Sequence, residues 1–306
     1  MRAARFSAGG AIVLDEAPRP QPGRSEVLVR VCAAGAIPSE LEWYPTTHTE
    51  GGGHRTGAVP CHEFSGVVEA VSEGVEGISI GAEVYGMNGW FADGALADYC
   101  VAPVSAIAPK PARLSHSEAA AAPISGLTAW QGLFDRAHLR PGERVLVHGG
   151  AGGVGVFAVQ LARWRGADVA ATASAKNATL VAELGARQVI DSRAVPFESV
   201  ISETDVIFDT AGGDVLERSW SVLKPGGRLI TIVASAEGST DPRVQNVFFI
   251  VEPNRDQLVR LSDLLDRGEL RSIVDSVLPF SAAPAAYNGS FHRQGRGKVV
   301  IAIGES

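Results

Sequence analysis

A glycine-rich run in the middle of the chain has the composition and spacing of a phosphate-binding turn. Residues 144–155 read RVLVHGGAGGVG, so that Gly150, Gly152 and Gly155 form a G-x-G-x-x-G pattern. The run follows an apolar stretch typical of a strand and opens a pattern typical of a helix. There Gly150 permits a tight turn, Gly152 lets the backbone approach a pyrophosphate, and Gly155 lets the helix pack on the strand. The N–H groups of the helix start attract anions, so the run predicts a dinucleotide site. Glycines that serve only a tight turn are the alternative.

The residues after the next expected strand distinguish the two nicotinamide dinucleotides. An NAD site needs a carboxylate about 20 residues beyond the glycines to hold the ribose hydroxyls. Counting 24 residues from Gly150 reaches Ser174, and no carboxylate occurs over 169–182. Lys176 instead supplies a cation for a 2′-phosphate. We therefore predict NADPH, with Ser174, Lys176 and Asn177 at its adenosine end. A solvated Lys176 on the following helix is the alternative.

Strand and helix patterns alternate around the glycine run. Strand patterns cover 144–148, 168–173, 188–190, 205–209 and 228–233, and helix patterns cover 126–136, 154–165, 176–185, 215–223 and 255–267. Ser115 is placed to cap a further helix that precedes them. Such alternation is typical of a doubly wound parallel sheet.

Short strands separated by glycine and proline characterise the first third of the chain. Their patterns predict a compact barrel-like domain. The tail returns to strand character, and we expect it to pack back on that domain. These strand patterns cover 26–34, 66–72 and 83–87 in the first third, and 273–280 and 298–303 in the tail.

The chain has 306 residues, which favours two domains. We predict an α/β protein in which residues 1–119, completed by 253–306, form the barrel-like domain. Residues 120–252 form the dinucleotide-binding domain.

Composition and charge exclude several classes of partner. The net charge of −7 and the lack of a basic stripe argue against nucleic acid and against an anionic membrane surface. The apolar stretch at the N-terminus is too short and broken for a signal peptide or a membrane span. Three widely spaced cysteines, Cys32, Cys61 and Cys100, argue against a disulfide framework and favour a reducing cytoplasm.

Seven short motifs resemble the quinone oxidoreductase branch of the medium-chain dehydrogenase/reductases. In chain order they are PISGLTAW (123–130), HGGAGGVG (148–155), ATASAKN (171–177), LGA with VID (184–191), DTAGG (209–213), KPGGR (224–228) and RGKVV (296–300). The resemblance runs from near Val27 to the C-terminus.

This resemblance implies a GroES-like β-barrel domain and a Rossmann domain, with the active site in the cleft between them. It implies hydride transfer from NADPH to a quinone or to an enone or enoyl substrate, and a homodimer or homotetramer. Carried over by position, Gly152, Gly153 and Val154 line the pyrophosphate, and Ser174 and Lys176 face the 2′-phosphate. The residues placed near the nicotinamide are Thr128, Val233, Phe249 and Lys298.

Zinc-dependent relatives carry a catalytic Cys, a Gly-His-Glu segment and a further Cys or Asp. The segment Cys61-His62-Glu63 looks like the middle piece, but Ile37 stands at the first ligand position and 122–128 contains no cysteine. A catalytic zinc needs three protein ligands and an open position. We therefore expect no metal.

The active-site segment departs from the pattern of many relatives, which read Asn-Pro-x-Asp-Trp-Lys. Here Ile37 replaces the Asn and Glu40 replaces the Asp. Reduction of an enone also needs a proton donor. Tyr44 is the first candidate, followed by His62 and Glu40, and a Tyr44 that only packs over the cleft is the alternative. The altered segment also leaves open a non-catalytic NADPH-binding redox sensor or scaffold.

Overall fold

A computed structural model describes residues 1–7, 9–233, 236–237 and 239–304. The strands are β1 (Arg2–Phe6), β2 (Ile12–Glu16), β3 (Glu26–Ala36), β4 (Glu63–Val71), β5 (Glu83–Met87), β6 (Tyr99–Pro103), β7 (Ile107–Pro109), β8 (Arg144–His148), β9 (Asp168–Ala173), β10 (Gln188–Asp191), β11 (Thr204–Asp209), β12 (Leu223–Thr231), β13 (Val274–Pro279) and β14 (Lys298–Ala302). The helices are α1 (Tyr44–Thr47), α2 (His116–Ala120), α3 (Pro123–Trp130), α4 (Gly153–Trp164), α5 (Ala178–Glu183), α6 (Asp214–Ser219), α7 (Pro242–Gln245), α8 (Arg255–Asp266) and α9 (Ala283–Tyr287). No helix in these ranges is both long enough and apolar enough to cross a membrane.

A mixed sheet carries the first part of the chain and its tail. The strand order is β13-β14-β3-β4-β5-β7, and β6 also pairs with β3. The long strand β3 is buried along most of its length because its small and β-branched residues suit a packed sheet. Strand β14 runs antiparallel to β3, and β13 runs parallel to β14. The tail therefore completes the sheet that the first third begins.

A five-stranded parallel sheet carries the middle of the chain, in the order β10-β9-β8-β11-β12. Every residue of β11 is buried, as expected for a strand covered on both faces. The strand order reverses between β8 and β11, and ligands of such sheets bind outside the carboxyl ends at that point. The glycine run follows β8 and therefore lies at this switch point.

The structure confirms the expected two-part α/β architecture, and the domain limits at 119/120 and 252/253 remain a prediction. Ser115 caps α2 through a capping box with Glu118, as its position predicts. Among the elements that differ from the sequence patterns, α6 ends at Ser219, short of the expected 223, because Leu223 already begins β12. The expected strand 228–233 ends at Thr231, whose hydroxyl donates to the Asp209 carboxylate at 2.8 Å.

The expected helix 126–136 also differs. Helix α3 starts earlier, at Pro123, and continues from Gln131 as a π-helix to Arg136. Gly132 packs so closely on Phe208 that a β-carbon would lie 2.2 Å from its ring. Apolar periodicity does not reveal such a local change in helix type.

An apolar core joins the two sheets. Tyr85 and Met87 of β5 pack in one cluster with Leu127 of α3 and Leu261 of α8. The Tyr85 hydroxyl donates to the Leu258 carbonyl at 2.6 Å. Because this contact is fully buried, the two parts of the chain share a continuous core behind the site.

Candidate active site

A cleft of about 880 Å³ lies between the mixed sheet and the carboxyl end of the parallel sheet. Its volume is within the usual range for small-molecule sites. Apolar and aromatic side chains form most of its wall, with a few charged groups. The lining residues are Ala36, Ile37, Pro38, Ser39, Glu42, Trp43, Tyr44, Pro45, Trp90, Phe91, Ile124, Thr128, Gly153, Val154, Ile232, Glu237, Phe248, Phe249, Ile250, Val251, Arg293, Gly297 and Lys298.

Backbone and side-chain hydrogen bonds from β9 shape the glycine turn. The Thr172 hydroxyl accepts from Gly149 N at 3.1 Å, and the Thr172 carbonyl accepts from Gly150 N at 2.9 Å. The left-handed residue is Gly149, with φ 74°, so the expectation that Gly150 permits the turn was one position off. Gly150 instead makes a close approach, because a β-carbon there would lie 2.9 Å from Ala171 Cβ.

Gly152 and Gly155 differ in what surrounds them. A β-carbon on Gly155 would lie 2.0 Å from the Gly149 carbonyl oxygen, so only glycine permits α4 to pack against the turn. A β-carbon on Gly152 would meet only that same oxygen, at 3.3 Å, and Gly152 has ordinary dihedrals of φ −70° and ψ 172°. This single tight contact constrains position 152 far less than position 155, so glycine at 152 also suits the close approach of a phosphate.

The segment before β14 runs beside the turn and connects it to the expected adenosine end. Gly297 N donates to the Ala151 carbonyl at 2.8 Å, and the Asn177 side chain donates to the Gly295 carbonyl at 2.9 Å. The exposed Lys176 amine also lies against Gly295. The half-buried Ser174 lies 3.4 Å from the Asn177 amide. The structure thus places these three β9–α5 residues along one edge.

A buried ion pair lies at the other end of the turn. Lys298 Nζ is 2.6 Å from Glu63 Oε1, and the two side chains are 8% and 0% exposed. The second Glu63 oxygen accepts from Ile124 N at 2.9 Å. A β-carbon on Gly153 would lie 3.3 Å from both Lys298 Cε and Ser125 Oγ, and this Ser125 hydroxyl is buried without a hydrogen-bond partner among the described residues. A cation, an orphaned hydroxyl and a glycine surface together fit an anionic, polar group such as a dinucleotide.

Residues expected near the nicotinamide are brought together with one exception. Thr128 and Phe249 line the cleft beside Lys298. Val233 does not line it, because β12 ends at Thr231 and Val233 packs against Gly212. The lining residue of this segment is Ile232.

Tyr44 lies at the cleft wall and is 54% exposed. Its ring stacks on His48, with centroids 4.3 Å apart and planes at 2°. The stacking orders the ring, while its exposure leaves the hydroxyl accessible to water. Both the donor role and the packing role remain predictions for this residue.

Glu40 does not line the cleft. Its carboxylate is buried and accepts hydrogen bonds from Cys61 N at 3.0 Å and from the Tyr287 hydroxyl at 2.7 Å. The Tyr287 hydroxyl also lies 3.0 Å from the Cys61 sulfur. Burial raises the pKa of Glu40 to about 7. This placement gives Glu40 no direct path to a substrate, and it anchors the 38–42 turn beneath the cleft.

Replacing Glu40 with glutamine is expected to remove a pH-dependent loss of stability. The pKa is raised from 4.5 to about 7, so the folded chain binds this proton more tightly than the unfolded chain. The free energy of unfolding should therefore fall by about 3 kcal/mol as pH rises from about 4.5 to about 7. Urea unfolding across that range measures it, and Glu42→Gln on the exposed face of the same turn is the control. An equal slope in the Glu40→Gln and parent proteins would contradict this assignment.

His62 lies behind the cleft wall, 96% buried from solvent by side chains that include Trp90, whose ring centroid is 5.4 Å away. Burial lowers the pKa of His62 to about 4, so the imidazole is neutral near pH 7. Its Nδ1 has no hydrogen-bond partner among the residues described. The structure therefore separates His62 from the cleft by one aromatic layer.

Two family models match the chain. The alcohol dehydrogenase GroES-like domain matches residues 23–112, and the zinc-binding dehydrogenase model matches 184–301. A probable zinc-binding mitochondrial oxidoreductase of Arthroderma benhamiae is 31% identical over 95% of this chain and 93% of its own length. The chain belongs to the quinone oxidoreductase-like branch of the medium-chain dehydrogenase/reductase superfamily.

Other members of this superfamily agree in function and fold. A chloroplastic NADPH-dependent alkenal/one oxidoreductase of Arabidopsis thaliana is 30% identical over 92% of this chain and 73% of its own. The quinone oxidoreductase of Coxiella burnetii has a TM-score of 0.89 at 28% identity, over 99% of both chains. The chain is therefore an oxidoreductase of the quinone and enone reductase type that uses a nicotinamide cofactor and a small-molecule substrate. These similarities favour an enzyme over the alternative of a non-catalytic NADPH-binding redox sensor or scaffold.

In the segment that resembles a zinc-ligand motif, the three side chains contact three different partners and do not converge. Cys61 contacts Tyr287, His62 packs on Trp90, and Glu63 pairs with Lys298. Ile37, at the first ligand position, contributes only an apolar surface to the cleft. Among the described residues no group of three or more His, Cys, Asp or Glu is arranged to hold a metal ion.

Sequence reasoning missed two residues that shape the site, Tyr287 and Thr172. Tyr287 acts through its contact with Glu40, which is 247 positions away in the chain. Thr172 holds the glycine turn, and its place in the ATASAKN motif was the available signal.

Proposed function

We propose that this protein is an NADPH-dependent reductase of quinones or α,β-unsaturated carbonyl compounds that works without zinc. One observation carries the proposal: Gly153 and Val154 of the glycine turn, together with Lys298, line a large apolar cleft. Bound NADPH would supply the hydride, and a dry, shaped cleft is the main contribution required of such a protein.

The preference for NADPH rests on the end of β9. No carboxylate follows that strand, so nothing there repels a 2′-phosphate, and the exposed Lys176 lies beside Ser174 on the same edge. A relative named for NADPH dependence supports this choice.

Within the cleft, each end has a separate task. The α4 N-terminus binds the phosphates, while Thr128, Phe249 and Lys298 lie at the nicotinamide end. The aromatic wall formed by Trp43 and Trp90 excludes water from the acceptor. An acceptor that takes hydride at its β-carbon needs a proton at its α-carbon, and Tyr44 or water at the cleft mouth provides it.

Zinc independence rests on the dispersed side chains of 61–63 and on Ile37, since a catalytic zinc requires three convergent ligands. Assembly as a homodimer or homotetramer and a cytoplasmic location belong to the same proposal.

The test is product analysis with NADPH deuterated at the transferring carbon of the nicotinamide. Incubation with an alkyl enone should give the saturated ketone with deuterium at the carbon β to the carbonyl. Prior dialysis against a metal chelator should leave the rate unchanged. Unlabelled product, or activity that chelation abolishes and zinc restores, would overturn the proposal.

A further inference from the structure

Trp90 is the side chain that connects the two walls of the cleft. It lies in the 88–94 segment between β5 and β6, and its indole nitrogen donates to the Val251 carbonyl at 3.1 Å. Val251 belongs to the segment that follows the parallel sheet. A single hydrogen bond therefore joins the barrel-like part of the chain to the opposite wall, at the cleft itself.

The loop that carries Trp90 is fixed at its base and open at its tip. The Asn88 side chain donates to the Asp93 carbonyl at 2.8 Å, and Gly94 N donates to the Val59 carbonyl at 2.7 Å. At the tip, Ala92 N donates to the Gly89 carbonyl at 3.0 Å, and a β-carbon on Gly89 would meet no atom within 4 Å. The turn hydrogen bond and the indole contacts together hold the tip.

The acceptor of the indole hydrogen bond is rigid. The Gln131 side chain accepts from Glu252 N at 3.0 Å and donates to the Glu252 carbonyl at 2.8 Å. Gln131 is the first residue of the π-helix and is itself buried. Trp90 thus joins its loop to a wall that is itself held by hydrogen bonds.

The ring of Trp90 also completes an aromatic surface. Trp43 meets it edge-on, with centroids 5.2 Å apart and planes at 85°. Edge-on aromatic pairs contribute about 0.5–1.5 kcal/mol beyond the area they bury, so the two rings stabilise each other's positions. Both rings line the cleft, and Phe249 and Ile250 face it from the opposite wall. These rings offer a planar, conjugated molecule a stacking surface, which a small aliphatic enone cannot use in the same way.

We propose that Trp90 is a specificity-determining residue that makes the cleft select planar, ring-conjugated diones over small aliphatic enones. The inference rests on the proposed function, because it states which acceptors of that reaction the cleft binds more tightly. The ring supplies the stacking surface, and the bond to Val251 holds the ring in place.

The test compares Trp90→Ala, Trp90→Phe and the parent enzyme with 9,10-phenanthrenequinone and with a small alkyl enone. Trp90→Ala should raise the KM for the quinone about tenfold and the KM for the enone less than threefold. Trp90→Phe keeps a ring but loses the bond to Val251, and should raise the KM for the quinone by about threefold. Trp164→Phe, on an exposed indole bonded to Glu269, controls for loss of a tryptophan hydrogen bond.

Equal KM changes for both acceptors, or none for either, would overturn the specificity role. So would a matching loss of NADPH affinity, which would indicate general damage to the cleft. Calorimetric binding of the quinone to the parent and Trp90→Ala proteins with NADP⁺ supplies a readout that needs no turnover. If the parent reduces neither acceptor, the proposed function fails. Weaker quinone binding by Trp90→Ala would then still support the specificity role of Trp90. Equal binding by the two proteins would contradict that role.

Discussion

Replacing Lys298 with methionine is expected to lower the free energy of unfolding by about 3–5 kcal/mol, because it leaves a buried carboxylate without its cation. Glu63 is 0% exposed, so water cannot replace the lost amine. Equilibrium unfolding in urea measures the change. The same variant should also bind NADPH more weakly, since Lys298 lies beside Gly153 of the phosphate turn.

A second substitution separates these two effects of Lys298. Adding Glu63→Gln removes the unpaired charge while the glutamine oxygen still accepts from Ile124 N. The double variant should recover most of the stability of the parent but not its NADPH affinity. A double variant as unstable as Lys298→Met would contradict the charge explanation, and full recovery of NADPH binding would exclude Lys298 from the cofactor site.

Replacing Gly152 with valine is expected to weaken NADPH binding by about 100-fold or more while the protein stays folded. Backbone N–H groups donate to the pyrophosphate only if it can approach, and each hydrogen bond to a charged group contributes about 1.5–3 kcal/mol. In the free turn a β-carbon at this position would have one close neighbour, the Gly149 carbonyl oxygen at 3.3 Å, which needs a shift of only a few tenths of an ångström. Fluorescence titration with NADPH and a thermal unfolding curve measure the two quantities.

Gly155→Val is the matched comparison for that variant. Its β-carbon would overlap the Gly149 carbonyl oxygen at 2.0 Å, so this substitution should lower the melting temperature as well as the affinity. If Gly152→Val binds NADPH as the parent does, the dinucleotide does not lie against this turn.

Local patterns in the sequence predicted the parts of the site that depend on neighbouring residues. The strand before the glycine turn, the helix after it and the missing carboxylate beyond β9 all follow from residues close together in the chain. Even there the positive φ belongs to Gly149, because the G-x-G-x-x-G pattern specifies spacing but not which glycine of the turn is left-handed. The strand end at Thr231 depended on a tertiary bond to Asp209.

Contacts between distant segments explain what the sequence could not predict. Glu40 looked like a candidate proton donor from its position near the cleft residues, yet it turns inward to Tyr287 of α9. The bond from Trp90 to Val251 likewise joins residues that are 161 positions apart in the chain. Such pairings depend on how the mixed sheet and the parallel sheet face each other. No local pattern in the sequence specifies that arrangement.

The most direct test of the central claim is steady-state oxidation of NADPH and of NADH with a panel of acceptors. The panel comprises 1,4-benzoquinone, 9,10-phenanthrenequinone, an alkyl enone and an enoyl thioester. We predict turnover of at least one acceptor, with kcat/KM for NADPH exceeding that for NADH by about tenfold or more, since one ion pair to the 2′-phosphate accounts for such a ratio. Loss of the reduced cofactor's near-ultraviolet absorbance reports it. No turnover of any acceptor despite NADPH binding, or a preference for NADH, would contradict the account.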